Sequence, residues 1–231
     1  MRRHLFVWLV VAVGAGMLPG AAGAQTLNFG VGGFTVRGED ARVEGDVLNA
    51  NRELLAFDIE EFNGPYVGVE WLVPFAGFFE AGAGIGFSRR TVPSVYADFI
   101  DADGTEIEQD LRLRLVPVAF SVRVVPFGHE RGVQPYVGVG VGVTGWRYSE
   151  SGEFVDFSSG RNTIFRDTFV ASGTAAGPIA LGGIRFASDT FVGGGEVRYS
   201  SADAELGPDF LGSRIDLGGW TYTVTFGVKF N

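Results

Sequence analysis

The chain has 231 residues, a formal net charge of −9 at pH 7, no cysteine, and 36 glycines beside 21 phenylalanines. The missing cysteines exclude a disulfide framework and any thiolate metal site or nucleophile, and the acidic balance with scattered basic residues excludes nucleic acid as a partner. So much glycine and phenylalanine, with few segments of helical period, indicates an all-β chain whose strands pack closely and whose surface is aromatic.

Arg2 and Arg3 precede the apolar run Leu5 to Val13, and Ala22-Gly23-Ala24 stands before Gln25. That order of parts is a secretory signal peptide, so residues 1–24 read as a leader and 25–231 as one mature domain. An uncleaved helical anchor fits less well, because Gly14, Gly16, Pro19 and Gly20 interrupt a run already short for a span.

Strands follow in chain order. Leu27, Phe29 and Val31 alternate, and the apolar phase then moves to Phe34 and Val36 across Gly32-Gly33, which predicts a bulge there. The second strand, Tyr66 to Val73, places Val67, Val69, Trp71 and Val73 opposite Tyr66, Gly68, Glu70 and Leu72. A turn at Pro74-Phe75-Ala76-Gly77 leads to the third, Phe78 to Ser88, where Phe79, Ala81, Ala83, Ile85 and Phe87 share a face. In the fourth, Leu111, Leu113 and Leu115 face away from Asp110, Arg112 and Arg114, and a shift near Val116-Pro117 would let Val118, Phe120, Val122 and Val124 continue the apolar wall. Tyr136 to Tyr148 alternates valine with glycine; the sixth, roughly Phe169 to Phe186, is blurred by glycines; the seventh is Phe191 to Ser200. The last, Trp220 to Phe230, alternates without a break: Trp220, Tyr222, Val224, Phe226, Val228 and Phe230 against Thr221, Thr223, Thr225, Gly227 and Lys229.

These are eight strands with one apolar face each. About eleven residues is the length a tilted strand needs to cross a bilayer, and no open sheet edge survives in lipid, so the expected architecture is a closed, eight-stranded antiparallel transmembrane barrel. A soluble lipid-binding barrel would need the apolar face inside, yet glutamate and arginine share the glycine face. Connections after strands two, four and six are short, whereas the stretches near 38–64, 89–109, 149–168 and 201–216 are long, polar and hold most of the acids. The expectation is a strongly acidic rim of long outer loops above a net basic lumen, with both termini on the other side.

The segments Gly195-Glu196-Val197-Arg198-Tyr199 and Phe226-Gly227-Val228-Lys229-Phe230, with the leader and the loop asymmetry, make the chain resemble small outer-membrane β-barrels of the OmpA and OmpX type, porin-like in build. The resemblance covers essentially residues 25–231. It implies residence in the bacterial outer membrane, contact with outer-membrane lipid and lipopolysaccharide, and delivery by the barrel insertion machinery through a terminal signal, here Phe226, Val228 and Phe230, with Asn231 following.

Enzymes of this architecture use a histidine at the outer rim, and the mature chain has one histidine, His129, in the Phe127 to Gln134 turn on the opposite side. No catalytic residue is assigned. The run Asp101-Ala102-Asp103-Gly104-Thr105-Glu106-Ile107-Glu108 has a calcium-loop look, but aligning Gly104 with the sharp turn puts Phe99 at the first ligand position, so no metal site is assigned either. The series Gly82-Ala83-Gly84-Ile85-Gly86 and Gly138-Val139-Gly140-Val141-Gly142 lack dinucleotide spacing and open no helix, so no cofactor site follows; inward glycines instead make room for Tyr66, Tyr136 or arginine. Trp71, Trp146, Trp220, Tyr148, Tyr199 and Tyr222 are expected in interfacial belts, with Trp146 and Tyr148 conceivable as a sugar platform.

The candidate lumen charge network is Glu70, Glu80, Arg112, Arg114, Arg123, Arg185, Glu196, Arg198 and Lys229, with Arg37 and Arg147 among the other strand bases. An eight-stranded barrel is barely wide enough for its own side chains, so these charges read as an ion-paired plug. The expected function is non-enzymatic, a structural or surface-interaction role through acidic outer loops and an extracellular partner. The alternative is a narrow porin-like channel or a lateral conduit for small solutes or apolar molecules.

Overall fold

The computed structural model describes residues 24–157 and 162–230. The leader reading rests on residues 1–23, and Asn231 follows the last strand; both lie outside the described residues. Eight staves form the wall: β1 Gln25–Val36, β2 Gly64–Ala76, β3 Phe79–Ile100, β4 Glu106–Val124, β5 Val133–Asp156, β6 Thr163–Ala187, β7 Phe191–Ser200 and β8 Gly219–Phe230. Each pairs antiparallel with its chain neighbours, and β8 pairs with β1 from Gln25 opposite Phe230 to Val36 opposite Gly219, so the ring closes. Closure leaves no backbone edge within the belt that faces lipid.

The side-chain pattern fixes which wall faces out. Val31 is 65% exposed, Val139 67% and Val224 74%, whereas Asn28, Ser121 and Glu196 on the alternate positions are buried. A girdle of exposed phenylalanines, among them Phe75, Phe78, Phe127, Phe186, Phe191 and Phe230, surrounds the end that carries the short turns and the termini. Trp71, Trp220 and Tyr222 are likewise exposed, and Tyr199 packs on Trp220 with ring centroids 4.9 Å apart. Such amphipathic rings suit a water–lipid boundary. Trp146 and Tyr148 do not join them: both point inward and are buried, which also removes the sugar platform.

Neither expected bulge exists. β1 keeps one register with β2 and β8 through Gly32 and Gly33, and β4 keeps one register with β5 from Gln109 to Val124. The apolar phase changes because the surroundings invert. Below, valine and phenylalanine face lipid; above, Phe34, Val36, Leu111, Leu113 and Leu115 face an apolar interior and the outer wall meets water.

That inversion also corrects two of the four loops. The stretches 89–109 and 149–168 are mostly paired strand, since β3 runs to Ile100 and β5 to Asp156, with β6 resuming at Thr163 and the first pair turning at 101–105. At the first tip Gly104 adopts a left-handed φ of 88° and its N–H donates to the Asp101 carbonyl at 2.9 Å, closing the turn expected at Asp103-Gly104. β3 to β6 have 22, 19, 24 and 25 residues, about twice what a tilted strand needs to cross a bilayer, so they stand above the belt as a four-stranded sheet. The segments 37–63 and 201–218 lie outside the staves and fold inward, with Leu55–Ala56 pairing on β3 and Asp203–Glu205 pairing with Arg214–Asp216.

Candidate functional site in the barrel lumen

The inward face of the staves stacks three layers. At the end bearing the termini, Arg185 donates from Nη1 and Nη2 to the two carboxylate oxygens of Glu80 at 3.0 and 2.7 Å, and from Nε to Gln134 Oε1 at 2.7 Å. Gln134 in turn donates to the carbonyls of His129 and Arg131, tying the β4–β5 turn across the mouth. His129 Nδ1 lies 3.9 Å from Glu80, so this turn histidine caps the layer. Lys229 sits beside it on β8 and donates from Nζ to the Ser188 carbonyl at 2.8 Å.

One layer deeper, two glutamates and two arginines from three staves, Glu70 of β2, Arg123 of β4 and Glu196 and Arg198 of β7, close on one another. Arg123 is bonded to Glu70 and reaches Glu196 Oε2 at 2.9 Å; Arg198 Nη2 reaches Glu70 Oε1 at 3.0 Å and Glu196 Oε1 at 2.7 Å. The Arg123 guanidinium also lies over the Tyr136 ring, 4.9 Å from its centroid, and Tyr136 donates its hydroxyl to Glu196 at 3.1 Å. Each charge therefore has two opposite partners, which is the condition under which buried ions are tolerated. Glycine makes the layer possible: a Cβ on Gly86 would lie 2.1 Å from the Tyr66 hydroxyl, and one on Gly183 would lie 2.5 Å from that of Tyr136.

Above the charges the interior turns apolar and the loops plug it. The helix α1, Val47–Asn51, carries Val47 and Leu48 into a cluster with Phe34, Phe62, Leu113, Trp146, Ile215 and Leu217. Asp46 caps α1, its Oδ1 accepting from the N–H groups of Leu48 at 3.0 Å and Asn49 at 3.3 Å. The same carboxylate takes Arg42 at 2.6 and 3.0 Å and the Asp216 N–H at 2.6 Å. Asp216, fully buried, accepts from Arg37, Val43 and Gly218, so the two inward loops are bonded to each other. From α1, Asn51 donates to Glu150 Oε1 at 2.6 Å and to the Tyr148 hydroxyl at 3.0 Å. Burial above the belt raises the Glu150 pKa, against the hydrogen bonds from Asn51 and Tyr148 that lower it.

The structure places Glu70, Glu80, Arg123, Arg185, Glu196, Arg198 and Lys229 inside the lumen with Tyr136, which the glycine pattern also places there, and the sequence missed Gln134, His129 and the plug carboxylates Asp46 and Asp216. Alternation on β5 and the closing turn could have shown Gln134. Arg112 and Arg114 are corrected: they occupy the outward positions of β4, between buried Leu111, Leu113 and Leu115. Arg147 is exposed on the outer wall of β5, and Arg37 belongs to the plug through Asp216. With those residues outside, the spanning lumen holds Glu70, Glu80 and Glu196 against Arg123, Arg185, Arg198 and Lys229, so it stays net basic by a single charge. Between the charged layer and the plug the space is small, cavities of about 30 Å³ beside Gly30, Gly68 and Gly84 and of about 40 Å³ between Tyr66, Leu115 and Ile179, whereas a recess of about 380 Å³ opens at the short-turn end beside Glu80, His129, Gln134, Arg185 and Lys229. Either of the two small cavities holds a water or two. Among the described residues no cluster of histidine, aspartate and glutamate has metal-binding geometry, and no helix is long and apolar enough to cross a membrane.

The comparisons with known proteins bear on this architecture. The outer membrane protein OprG from Pseudomonas aeruginosa superposes with a TM-score of 0.51 at 15% identity, over 91% of this chain and 97% of that one. Neisserial surface protein A does so with a TM-score of 0.50 at 11% identity, over 92% of this chain and all of that one, 100%. The fold is that of the small outer-membrane β-barrels. No family model and no curated protein matches the sequence significantly.

Proposed function

We propose that this chain is a non-enzymatic integral outer-membrane protein, closed to solutes, whose role is structural or adhesive and is carried by what it raises above the bilayer. The observation that carries the reading is the lumen itself: two layers of mutually satisfied ions beneath an apolar plug, with free space of about 30–40 Å³ where the charges meet the plug. A conduit needs binding weak enough for a solute to leave, and charges locked in reciprocal pairs offer neither sites nor mobility. The sheet of β3 to β6 supplies the surface. Its outward and tip residues Asp103, Glu106, Glu108 and Asp110 are acidic and exposed, suited to a basic partner at the cell surface.

The competing reading, a narrow channel or lateral conduit, draws on the glycine-lined space beside Gly30, Gly68 and Gly84. Planar-bilayer recording separates the two. The closed reading expects no stable single-channel steps from the intact protein, and steps once Asp46→Ala frees the plug in an Arg123→Met background. Stable steps from the intact protein would establish the conduit instead.

A further inference from the structure

Three arginines stand side by side on the outer wall. Arg89 on β3 is directly opposite Arg114 on β4, and Arg114 is directly opposite Arg147 on β5. All three are exposed, and Arg112, one outward position further along β4, extends the patch beside Thr91 and Ser149. Adjacent strands lie about 4.8 Å apart, so the three stems rise from neighbouring points of one surface. Like charges directly opposite each other destabilise a sheet. Here no acid offsets them: none of the three has a side-chain hydrogen bond or ion pair among the described residues, and Arg112 has only the Thr91 hydroxyl at 3.0 Å. The acids of the same wall, Asp110 and Glu108, begin beyond Arg112, and Glu153 is taken by Arg166.

Position identifies the missing partner. Arg89 follows Phe87 by two residues, Arg114 follows Val116 toward the outer end by two, and Arg147 follows Val143 by four, so the row lies just past the unbroken apolar wall of three staves. A guanidinium there keeps its stem along the lipid-facing wall and its fork in the headgroup region. The fork binds phosphate oxygens in pairs, which a lysine cannot do. We propose that Arg89, Arg114 and Arg147, with Arg112, form a site for the phosphate groups of an outer-leaflet phosphoglycolipid, lipopolysaccharide through its lipid A anchor. The site rests on the membrane placement and orientation given under the proposed function. It occupies one side of the barrel only, so it would order lipid against β3, β4 and β5 and leave β7 and β8 free.

The test uses the full barrel folded into phosphatidylcholine vesicles, with and without lipid A, and reads the thermal midpoint and a lipid A titration. The intact protein is expected to gain thermal stability with lipid A. The triple variant Arg89→Gln/Arg114→Gln/Arg147→Gln is expected to lose that gain and bind lipid A roughly a hundredfold more weakly, from the increment per basic residue at an anionic surface. Arg114→Gln alone keeps the question answerable if the triple variant folds poorly, with roughly tenfold weakening expected because the central member serves both neighbours. Arg166→Gln, higher on the sheet, is expected to bind as the intact protein does. No gain in the intact protein, or an undiminished gain in either row variant, overturns the site. An equal gain from inorganic phosphate without lipid A overturns the lipid as its ligand. A heat-shifted gel band and silent bilayers from the same preparation show the barrel reading intact while the site fails.

Discussion

Replacing Arg123 by methionine tests whether the lumen charges form a plug. Arg123 is 1% exposed, and its loss leaves Glu70 and Glu196 sharing Arg198 alone, so a neutral cluster of two acids and two bases becomes a buried net anion. Methionine fills most of the volume, so the cost is electrostatic and amounts to about 3–5 kcal/mol, the usual penalty for removing one member of a buried pair. Glu70→Gln alone leaves a net cation and is expected to cost a similar amount. The double variant Arg123→Met/Glu70→Gln retains Arg198 paired with Glu196 at 2.7 Å and is neutral again, so it is expected to recover about 2 kcal/mol or more of the summed loss. Urea unfolding of vesicle-folded protein, followed by emission from the tryptophans, measures all four corners of the cycle. If each single variant costs under about 1 kcal/mol and the two add, the charges are solvated as surface pairs are, and the plug argument is wrong.

Four further outcomes follow from the same geometry. Val139→Lys, in the middle of the outward run Val137 to Val143, is expected to cost about 2–4 kcal/mol in vesicle unfolding, whereas Ser151→Lys, above the belt and directly opposite Asp110, is expected to cost almost nothing. Gly86→Ala pushes a methyl into the Tyr66 hydroxyl and is expected to cost about 1–3 kcal/mol, relieved in a Tyr66→Leu background; an unrelieved loss would refute the assigned contact. Glu150 lies above the belt with its pKa raised by burial, so the native state holds its proton more tightly than the unfolded chain does. Its contribution is fully present below the unfolded value of 4.5 and is lost as pH rises through the raised folded value; Glu150→Gln is expected to flatten stability in that window, read by unfolding at stepped pH. Asp46→Ala removes the α1 cap and the buried partner of Arg42, and is expected to cost about 3–5 kcal/mol and expose the 37–63 loop to external protease.

Much of the barrel was legible because lipid and lumen impose opposite demands on alternate residues. β8 shows it best: Trp220, Tyr222, Val224 and Phe226 are exposed and Thr221 and Gly227 are buried, as the alternation alone implies. The closed eight-strand ring, the short-turn end and the room left by glycine for Tyr66 and Tyr136 follow from that rule. The loops were not legible in the same way. The stretches near 38–64 and 201–216 read as a polar acidic rim, yet the observed segments 37–63 and 201–218 turn Val47, Leu48, Ile215 and Leu217 inward. Their carboxylates Asp46 and Asp216 serve as internal caps and ion-pair partners. A polar loop and a polar-coated plug have the same composition; the long-range bonds between Asp46, Arg42 and Asp216 tell them apart, and these join positions some 170 residues apart.

The misplaced arginines have one physical cause. A rule that equates the apolar face with the outside holds only while the outside is lipid. On β4 the outward series runs Val124, Val122, Phe120, Val118, Val116 and then Arg114, Arg112, Asp110, while the inward series runs Arg123, Ser121, Ala119 and then Leu115, Leu113, Leu111. Both series invert at the same height with the register unbroken. A bulge would have moved the same side chains by changing the backbone; here the solvent changes instead. That height is where the charged layer of the lumen gives way to the apolar plug, and where the valine wall gives way to the arginine row. The inversion therefore marks the bilayer boundary from both sides of one strand. It follows that Leu113→Arg, at a position that looks membrane-facing in the sequence, is expected to disrupt the plug rather than the lipid contact. In detergent of any chain length its loss of stability should be the same, whereas the loss for Val139→Lys should vary with the thickness of the apolar layer around it.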